Sequence, residues 1–516
     1  MASRLPIRAV ALRLLIGALG ILQVEPTRAN TPAANPPTAQ RRPACAYARA
    51  ADPSSAAKKP RKKKKDCFST PAAAVPPGER PSILFNRWQE DWSVLADPLV
   101  PREPLDQLKY IRLSKDDPQT YLSLGGGVRE RFEAVDAPNF GVGSVRAEDY
   151  VISRMEGHAD LRVASQLQVF VQLQSDFAPW KSVITPADQN PLDLEQAFVT
   201  ITEPVDDATM RLRIGRQQIA FDLQRFVGVR NGANNRQSYD AVWAEYERCR
   251  WRLTGFYSLP VQDRPEGVFN DFSSDHLTYG GVRGARKLFG TSELAVTLSW
   301  FTHDAAKFLT VTGNERRNIV DVHFSGSGGG FDWDVEGMNQ GGRIAPKSIE
   351  AWAVGSLNGY TFSKRTWSPR LGLQFDAASG NGDPTGGTLG TFNPLFPNQY
   401  YFTLAPFGAT YVNLIHVKPS ITLQPTSTVK AQFAAAGQWR ETTADAVYVV
   451  PNIPIAGTAG RPGNYTATYG ELLVDWAATP HLAVELEGVH YAVADVIRRA
   501  GGHDGNYLGV ETQYGW

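Results

Sequence analysis

The sequence has very little cysteine. Only three of its 516 residues are cysteine, at positions 45, 67 and 249. None belongs to a Cys-x-x-Cys or Cys/His spacing of the kind that binds zinc. We therefore expect no metal site of that class and no cofactor. An oxidising compartment would permit a disulfide between Cys45 and Cys67, which flank a lysine run.

Long apolar runs are also lacking. Beyond the first 30 residues, no stretch approaches the roughly 18 consecutive apolar residues that a helical membrane span needs. Helical spans are therefore excluded. A transmembrane β-barrel is not, because its strands carry apolar residues only at alternate positions. The 46 glycines, 24 phenylalanines, 18 tyrosines and 12 tryptophans favour a β-rich protein with many turns.

No large net charge points to a partner, since 53 basic residues balance 52 acidic ones. The charge is unevenly placed, with 15 basic and 4 acidic residues among residues 1–80. Residues 1–29 have the basic start and short apolar core of an export signal peptide. Residues 30–85 are rich in Ala, Pro and Lys, and we expect a disordered periplasmic tail. Its run Lys58–Lys65 could suggest nucleic-acid binding, but an exported chain meets no nucleus, so we expect no nucleic-acid partner. A solvated tail, or weak attraction to anionic lipid or cell-wall polymer, remains open.

From Tyr121 to Trp516 the chain repeats one unit, about ten residues of alternating polarity followed by turn residues. In Leu167–Gln174, the residues Leu167, Val169, Val171 and Leu173 share one face, and Gln168, Phe170, Gln172 and Gln174 share the other. Eighteen such strands are predicted. They begin near Tyr121, Tyr150, Leu167, Asp193, Thr209, Tyr239, Trp251, Leu277, Leu294, Arg316, Phe331, Ile349, Ser368, Asn413, Ser427, Ala467, Leu482 and Asn506.

The connections between these strands tend to alternate between short and long. Short connections follow the even strands, as at 164–166 and 203–208, and long ones follow the odd strands, as at 220–238 and 380–412. A bacterial outer-membrane barrel has this arrangement, with short periplasmic turns and long extracellular loops. A soluble sandwich has no reason to sort its loops, and a propeller would show a four-strand repeat. The fold class is therefore predicted as all-β, a transmembrane antiparallel β-barrel of about 18 strands.

The face of these strands opposite the apolar one is rich in arginine. A barrel of this size encloses a water-filled lumen, so this face should line it. Arginine presents a planar fork that suits carboxylates, which indicates a path for an anionic chain. The alternative is that these arginines form ladders with Asp and Glu that only stabilise the wall. The candidate pathway residues are Arg129, Arg131, Arg154, Arg216, Arg225, Arg230, Arg236, Asp240, Asp334, Glu336 and Arg440.

Asp332, Asp334 and Glu336 alternate on one strand face. They could form a calcium site, a lumenal acidic patch, or partners for nearby arginines, and we favour the last. Chemistry is otherwise sparse, with no Gly-x-Ser-x-Gly elbow and no cysteine placed beside a histidine. We therefore predict that the protein is not an enzyme.

Several stretches resemble the alginate export proteins of the bacterial outer membrane. They include Trp88-Gln89-Glu90-Asp91-Trp92, Gly125-Gly126-Gly127-Val128-Arg129-Glu130-Arg131, Gly215-Arg216-Gln217-Gln218, Arg225, Arg230, Asn235-Arg236, Tyr239-Asp240, Asp332-Trp333-Asp334-Val335-Glu336, Phe392-Asn393-Pro394-Leu395-Phe396-Pro397 and Trp439-Arg440. The resemblance covers residues 86–516. It implies an 18-stranded barrel with an arginine-rich constriction, and passive export of a negatively charged exopolysaccharide. The chain departs from the family in its lysine-rich tail and in the loop Ser379–Asp383.

Four hypotheses follow. The leading one is a channel in the bacterial outer membrane that exports an anionic, alginate-like polysaccharide, with outer-membrane lipid and periplasmic export proteins as partners. The runner-up is a porin for uptake of small anionic solutes such as oligouronates, because sequence does not give the direction of a passive flux. A lipid-modifying barrel enzyme and a structural or adhesive barrel are the weaker alternatives.

Overall fold

The structure is a computed structural model that describes residues 80–143, 146–398, 400–406 and 408–516. The predicted signal peptide, most of the predicted tail, Cys45 and Cys67 lie outside the described residues. No helix in the described part of the chain is long and apolar enough to cross a membrane.

Eighteen long antiparallel strands form a closed barrel, as predicted. Each pairs with its neighbours in sequence, and the first long strand pairs with the last, which joins Val135 to Tyr507. Among the described residues, one short strand precedes the barrel and three lie in the loops. Two of the three, Tyr448–Val449 and Ile453–Pro454, pair as a two-stranded ribbon. The strands are β1 (Ile111–Arg112), β2 (Tyr121–Val135), β3 (Glu148–Val163), β4 (Leu167–Phe177), β5 (Asn190–Val205), β6 (Ala208–Gln217), β7 (Tyr239–Arg248), β8 (Trp251–Pro260), β9 (Leu277–Lys287), β10 (Glu293–Phe308), β11 (Val311–Gly328), β12 (Phe331–Ile344), β13 (Lys347–Thr361), β14 (Arg370–Ala378), β15 (Thr388–Leu389), β16 (Leu414–Leu423), β17 (Val429–Trp439), β18 (Tyr448–Val449), β19 (Ile453–Pro454), β20 (Tyr465–Ala477), β21 (Leu482–Val493) and β22 (Gly505–Gly515). Two short helices are α1 (Asp106–Lys109) and α2 (Asp495–Arg498).

Strand alternation separates an apolar outer surface from a polar inner one. On β4, Val171 and Leu173 are 38% and 37% exposed, whereas Gln172 and Gln174 between and beside them are buried. Successive side chains of a strand point to opposite faces, so the apolar set faces outward and the polar set faces the lumen. The predicted division of faces is confirmed on this strand.

Loop lengths are sorted between the two ends of the barrel. At the proximal end, where β2 begins and β22 ends, the connections are short. At the distal end they include the long loops 218–238, 379–413 and 440–464, but β10 and β11 are joined by residues 309–310 alone. Strand β11 begins at Val311 and not near Arg316. The first residues of β11 pair with β10 beyond the apolar belt. Polar and apolar residues do not alternate there, so no pattern in the sequence indicated a strand.

Distal loops fold into the barrel and fill much of it. Phe226 of loop 218–238 packs against Phe392 and Tyr411 of loop 379–413, at 5.4 and 5.0 Å between ring centres. The same buried cluster includes inward-facing wall residues such as Tyr239 and Ala351. The wide aqueous lumen expected from strand number therefore contains a hydrophobic core built by its own loops.

The segment before the barrel, residues 80–112, enters the proximal end. The Trp88 carbonyl accepts hydrogen bonds from Arg162 and Gln168 of the wall, both at 2.8 Å. Trp92 is 2% exposed and packs with Tyr121 at the start of β2. Residues 80–85 belong to the segment predicted as tail, yet Arg80 is bonded to Asp106 of α1. We call residues 80–112 the proximal segment.

Candidate functional site

Three of the predicted pathway arginines hold a lumenal loop. Arg129 and Arg154 are direct neighbours across the β2–β3 ladder. Arg129 donates to the carbonyls of Asn231 and Ala233 at 2.6 and 2.9 Å. Arg154 donates to the carbonyls of Ala233 and Asn234 at 2.6 and 2.7 Å. Arg131 donates to that of Gly232 at 2.8 Å. The three guanidinium groups thus clamp the tip of loop 218–238 against the wall.

Each clamp arginine also has an acidic neighbour. Nη1 of Arg131 lies 3.2 Å from Glu511, and its Nε lies 2.6 Å from Glu133. The nearest carboxylates to Arg129 and Arg154 are 3.8 and 3.7 Å away, from Glu511 and Asp176. The ladders of the alternative wall hypothesis are therefore present, but the ion pairs of Arg129 and Arg154 are long.

A small, partly open cavity of about 60 Å³ lies at the proximal end, between the proximal segment and the wall. Four arginines line it, together with one carboxylate and the turn at residues 479–481. The arginines are Arg87, Arg129, Arg154 and Arg236, and the carboxylate is Glu156. Glu156 is ion-paired with Arg236. Guanidinium groups therefore outnumber carboxylates on the cavity wall, and we call this space the arginine cavity.

Arg87 is the lining residue that sequence reasoning missed. It lies on a short 3-10 turn, Arg87–Gln89, and its guanidinium binds the carbonyls of Trp516 and Gly126 at the closure of the barrel. Nε of Arg87 is 2.8 Å from Glu90. The signal that could have indicated Arg87 is the adjacent stretch Trp88-Gln89-Glu90-Asp91-Trp92, which resembles the family. Strand alternation could not, because it assigns a face only to residues within strands.

Arg225 joins the same lumenal loop to the opposite wall. Its guanidinium is bonded to Asp334 and Glu336 of β12, and its Nε donates to the Tyr401 hydroxyl at 2.9 Å. Burial alone would lower the pKa of Arg225, but nearby Tyr401 and the carboxylates hold it well above the ordinary value. Asp334 and Glu336 are arginine partners, as favoured from sequence. Asp332 likewise pairs with Arg370, at 2.9 Å from its Nε.

Arg216 and Asp240 lie apart from the lumen. They are bonded to each other at 2.9 and 3.1 Å. Asp240 alternates with buried Tyr239 and Ala241 and shares its face with Val242, which is 44% exposed. That face is the outer one. The Ser273 hydroxyl of loop 261–276 donates to Asp240 at 2.7 Å, so the pair anchors a distal loop.

The last three predicted residues have three different environments. Arg440 is 1% exposed and donates to backbone carbonyls of its own loop, including those of Thr458, Arg461 and Gly463 at 2.6–2.7 Å. Arg236 stacks over the Phe85 ring of the proximal segment at 4.7 Å. Arg230 lies 5.8 Å from the Phe396 ring centre, and it has no ion-pair partner within the described residues. Burial lowers its pKa.

Comparisons with known proteins agree with this architecture. The family model described as alginate export matches residues 120–511. The BenF-like porin from Pseudomonas fluorescens Pf-5 has 8% identity and a TM-score of 0.53, covering 77% of this chain and 99% of that one. OccAB3 of Acinetobacter baumannii has 10% identity and a TM-score of 0.53, again covering 77% and 99%. OccAB1 of the same organism has 10% identity and a TM-score of 0.52, covering 80% and 99%. Curated proteins give no match.

The solved structures establish the fold, and the family match spans nearly the whole barrel. The protein is a channel of the bacterial outer membrane. Its short proximal turns and long distal loops match the periplasmic and extracellular ends of such barrels. The chain belongs to the alginate export family.

Proposed function

We propose that the channel exports a negatively charged, alginate-like exopolysaccharide, and that the arginine cavity receives the polymer from the periplasm. The observation that supports this is the lining of the cavity, where four guanidinium groups face one carboxylate. Guanidinium groups bind carboxylates through paired hydrogen bonds, so a polyuronate would find its complement there.

The position of the cavity favours export. It lies beside the proximal turn at residues 479–481, where a polymer handed over in the periplasm enters first. Loops 218–238 and 379–413 form the packed core further along the lumen. A polymer leaving the cell would therefore meet the arginines before it meets the loops. Transfer proteins in the periplasm are expected partners, and outer-membrane lipid surrounds the apolar belt.

The clamp gives the arginines a second task. Arg129 and Arg154 hold loop carbonyls through neutral acceptors, while their nearest carboxylates are 3.8 and 3.7 Å away. A uronate carboxylate is a stronger acceptor for a guanidinium than a backbone carbonyl is. We infer that a passing polymer competes with the tip of loop 218–238 for these arginines, which couples substrate entry to release of the loop.

The test is the zero-current potential of the purified protein in planar bilayers under a salt gradient. We expect anion selectivity in the wild type and a shift toward cation selectivity in Arg87→Gln/Arg236→Gln. The matched control is Arg343→Gln, because Arg343 is exposed at the distal rim. Cation selectivity in the wild type, or equal potentials in all three proteins, would contradict the proposal.

Uptake of small anionic solutes uses the same fold and remains the alternative. The neighbouring genes in the genome would distinguish the two directions. Polymerase genes would favour export, and catabolic genes would favour uptake. A flux measurement also separates them: release of preloaded polyuronate from proteoliposomes supports export, whereas passage of monomers and dimers alone supports uptake. The family consists of channels, and we expect no enzymatic activity.

A further inference from the structure

A cluster of buried carboxylates lies where the lumenal loop meets the barrel wall. Asp222 comes from loop 218–238, Asp321 from β11 and Glu336 from β12. One carboxylate oxygen of each lies within 4.8 Å of the other two. Asp321 and Glu336 are 4% and 3% exposed, and the Asp222 side chain is 7% exposed. This cluster was not found from sequence, except for Glu336.

Two oxygens of the cluster lack partners. Across the described ranges, Oδ2 of Asp321 and Oδ2 of Asp222 are buried and take part in no hydrogen bond. Buried carboxylate oxygens are normally satisfied, because leaving one unpaired in a protein interior is costly. Asp321 also has no basic partner within 4.0 Å in this part of the chain, although it is almost fully enclosed. These two oxygens are therefore available to a ligand that binds carboxylates.

The surrounding charges leave a negative excess. Nη2 of Arg283 lies 2.6 Å from Oδ1 of Asp222. His323 bridges, with Nδ1 at 2.9 Å from Asp222 and Nε2 at 2.9 Å from Asp334. The cluster and the groups in direct contact with it together contain four carboxylates and three basic groups. The carboxylates are Asp222, Asp321, Asp334 and Glu336, and the basic groups are Arg225, Arg283 and His323.

Asp222 has one oxygen with partners and one without. Arg283 and His323 both approach Oδ1, so Oδ2 is left for another ligand. The loop thus presents this oxygen toward two wall carboxylates.

We propose that Asp222, Asp321 and Glu336 bind one Ca²⁺ ion, which ties loop 218–238 to strands β11 and β12. Ca²⁺ takes oxygen ligands at about 2.3–2.6 Å, so two oxygens that share it lie at most about 5 Å apart, which the cluster satisfies. Mg²⁺ fits less well, because it needs shorter bonds of about 2.1 Å and near-octahedral geometry. The ion adds positive charge where carboxylates outnumber basic groups by one, and it occupies both unpartnered oxygens.

The site gives the lumenal loop a second attachment. The clamp of Arg129, Arg131 and Arg154 holds residues 231–234 of the loop, and the ion holds Asp222 near its start. Calcium therefore stiffens the part of the loop that packs in the lumen. The proposal does not depend on the transported substrate, since all ligands belong to this chain.

The test uses the full-length protein, folded in detergent, stripped with a chelator and dialysed, and then titrated with CaCl₂ by calorimetry and by equilibrium dialysis with radioactive calcium. We expect one Ca²⁺ per chain in the wild type. Asp321→Asn should weaken binding by about tenfold or more. The control is Asp332→Asn on β12, whose carboxylate pairs with Arg370, and it should bind as the wild type does.

Folding of each variant is checked by heat-modifiable migration of the barrel on gels. Asp222→Asn changes a loop residue and not the wall, so it tests the site even if Asp321→Asn does not fold. Calcium should also slow proteolysis within loop 218–238 in the wild type but not in Asp222→Asn. The proposal is overturned if the wild type binds no Ca²⁺, if Asp222→Asn binds it with unchanged affinity, or if Mg²⁺ binds equally well. Anion selectivity is measured separately, so failure here leaves the export proposal standing.

Discussion

The guanidinium carbon of Arg213, on the inner wall at β6, lies 4.2 Å from the ring centre of Trp88 in the proximal segment. The same Trp88 ring meets Phe198 edge-on at 5.9 Å. A cation over an indole face is the favoured geometry for this attraction, and it strengthens where water is excluded. The segment that precedes the barrel is thus held inside it by a wall residue of the lumen, and we expect it to restrict the periplasmic entrance.

Replacing Trp88 should widen that entrance. Trp88→Ala removes a cation–π contact worth about 0.5–2 kcal/mol together with the aromatic contact to Phe198. We expect a larger single-channel conductance in planar bilayers because the segment leaves the lumen more often. Trp180→Ala is the matched control, since Trp180 is 74% exposed in a distal loop. Identical conductance in wild type and Trp88→Ala would show that the segment does not restrict the path.

Replacing Arg225 should loosen the lumenal loop. Arg225→Gln leaves Asp334 and Glu336 without their buried guanidinium, and breaking a buried ion pair from one side costs about 3–5 kcal/mol. We expect a lower free energy of unfolding in urea and faster proteolysis within loop 218–238. Arg343→Gln at the exposed rim should change neither quantity. Wild-type protease resistance in Arg225→Gln would contradict this prediction.

Lys109 should make docking of the proximal segment depend on pH. The Lys109 side chain on α1 is 2% exposed, 5.2 Å from the Trp92 ring centre, and burial lowers its pKa from 10.5 to about 7. Between about pH 7 and pH 10, the released segment binds the proton that the docked one lacks, so docking strengthens as pH rises. Below about pH 7, both forms carry the proton and this dependence ends.

Protease protection of the proximal segment across this pH range measures the effect. Lys109→Met should raise protection at pH 7 and remove much of the pH dependence, because an apolar side chain has no charge to desolvate. Lys115→Met is the control, since Lys115 is exposed in the turn between β1 and β2. A pH profile that Lys109→Met leaves unchanged would assign the dependence to other groups.

Arg440 should support its loop and not the ion path. Lysine has three donors on one nitrogen and cannot reach the several carbonyls that the planar guanidinium of Arg440 binds at once. Arg440→Lys should therefore increase hydrogen exchange in loop 440–464 while leaving the zero-current potential unchanged. A selectivity shift in this variant without faster exchange would restore Arg440 to the substrate path.

The barrel was predictable because its strands face two different media. Residues such as Val171 and Gln172 alternate across the apolar belt, and this pattern marks a strand wherever lipid lies on one side. Outside the belt the signal disappears, which is why β11 begins earlier than predicted and β1 was missed. The prediction of which faces of β2 and β3 line the lumen was also correct, since Arg129 and Arg154 point into it.

What the arginines contact was not predictable. Alternation gives the face of a residue but not what folds against it, and the loop tip that Arg129 and Arg154 hold is about 80 or more residues away in sequence. At Arg216 alternation was regular. Arg216 shares its face with Leu212 and Ile214, which are 38% and 50% exposed on the outer surface. The prediction that Arg216 lines the lumen therefore did not follow the alternation of its own strand.

Polyuronate carboxylates are expected to bind in the arginine cavity. The decisive experiment is block of the channel current by oligouronates added on the periplasmic side. We expect block of the wild type, a weaker block of Arg87→Gln/Arg236→Gln, and none by the same oligomers after their carboxylates are reduced to alcohols. Equal block of the wild type and the double variant, or block by the neutral oligomers, would contradict it.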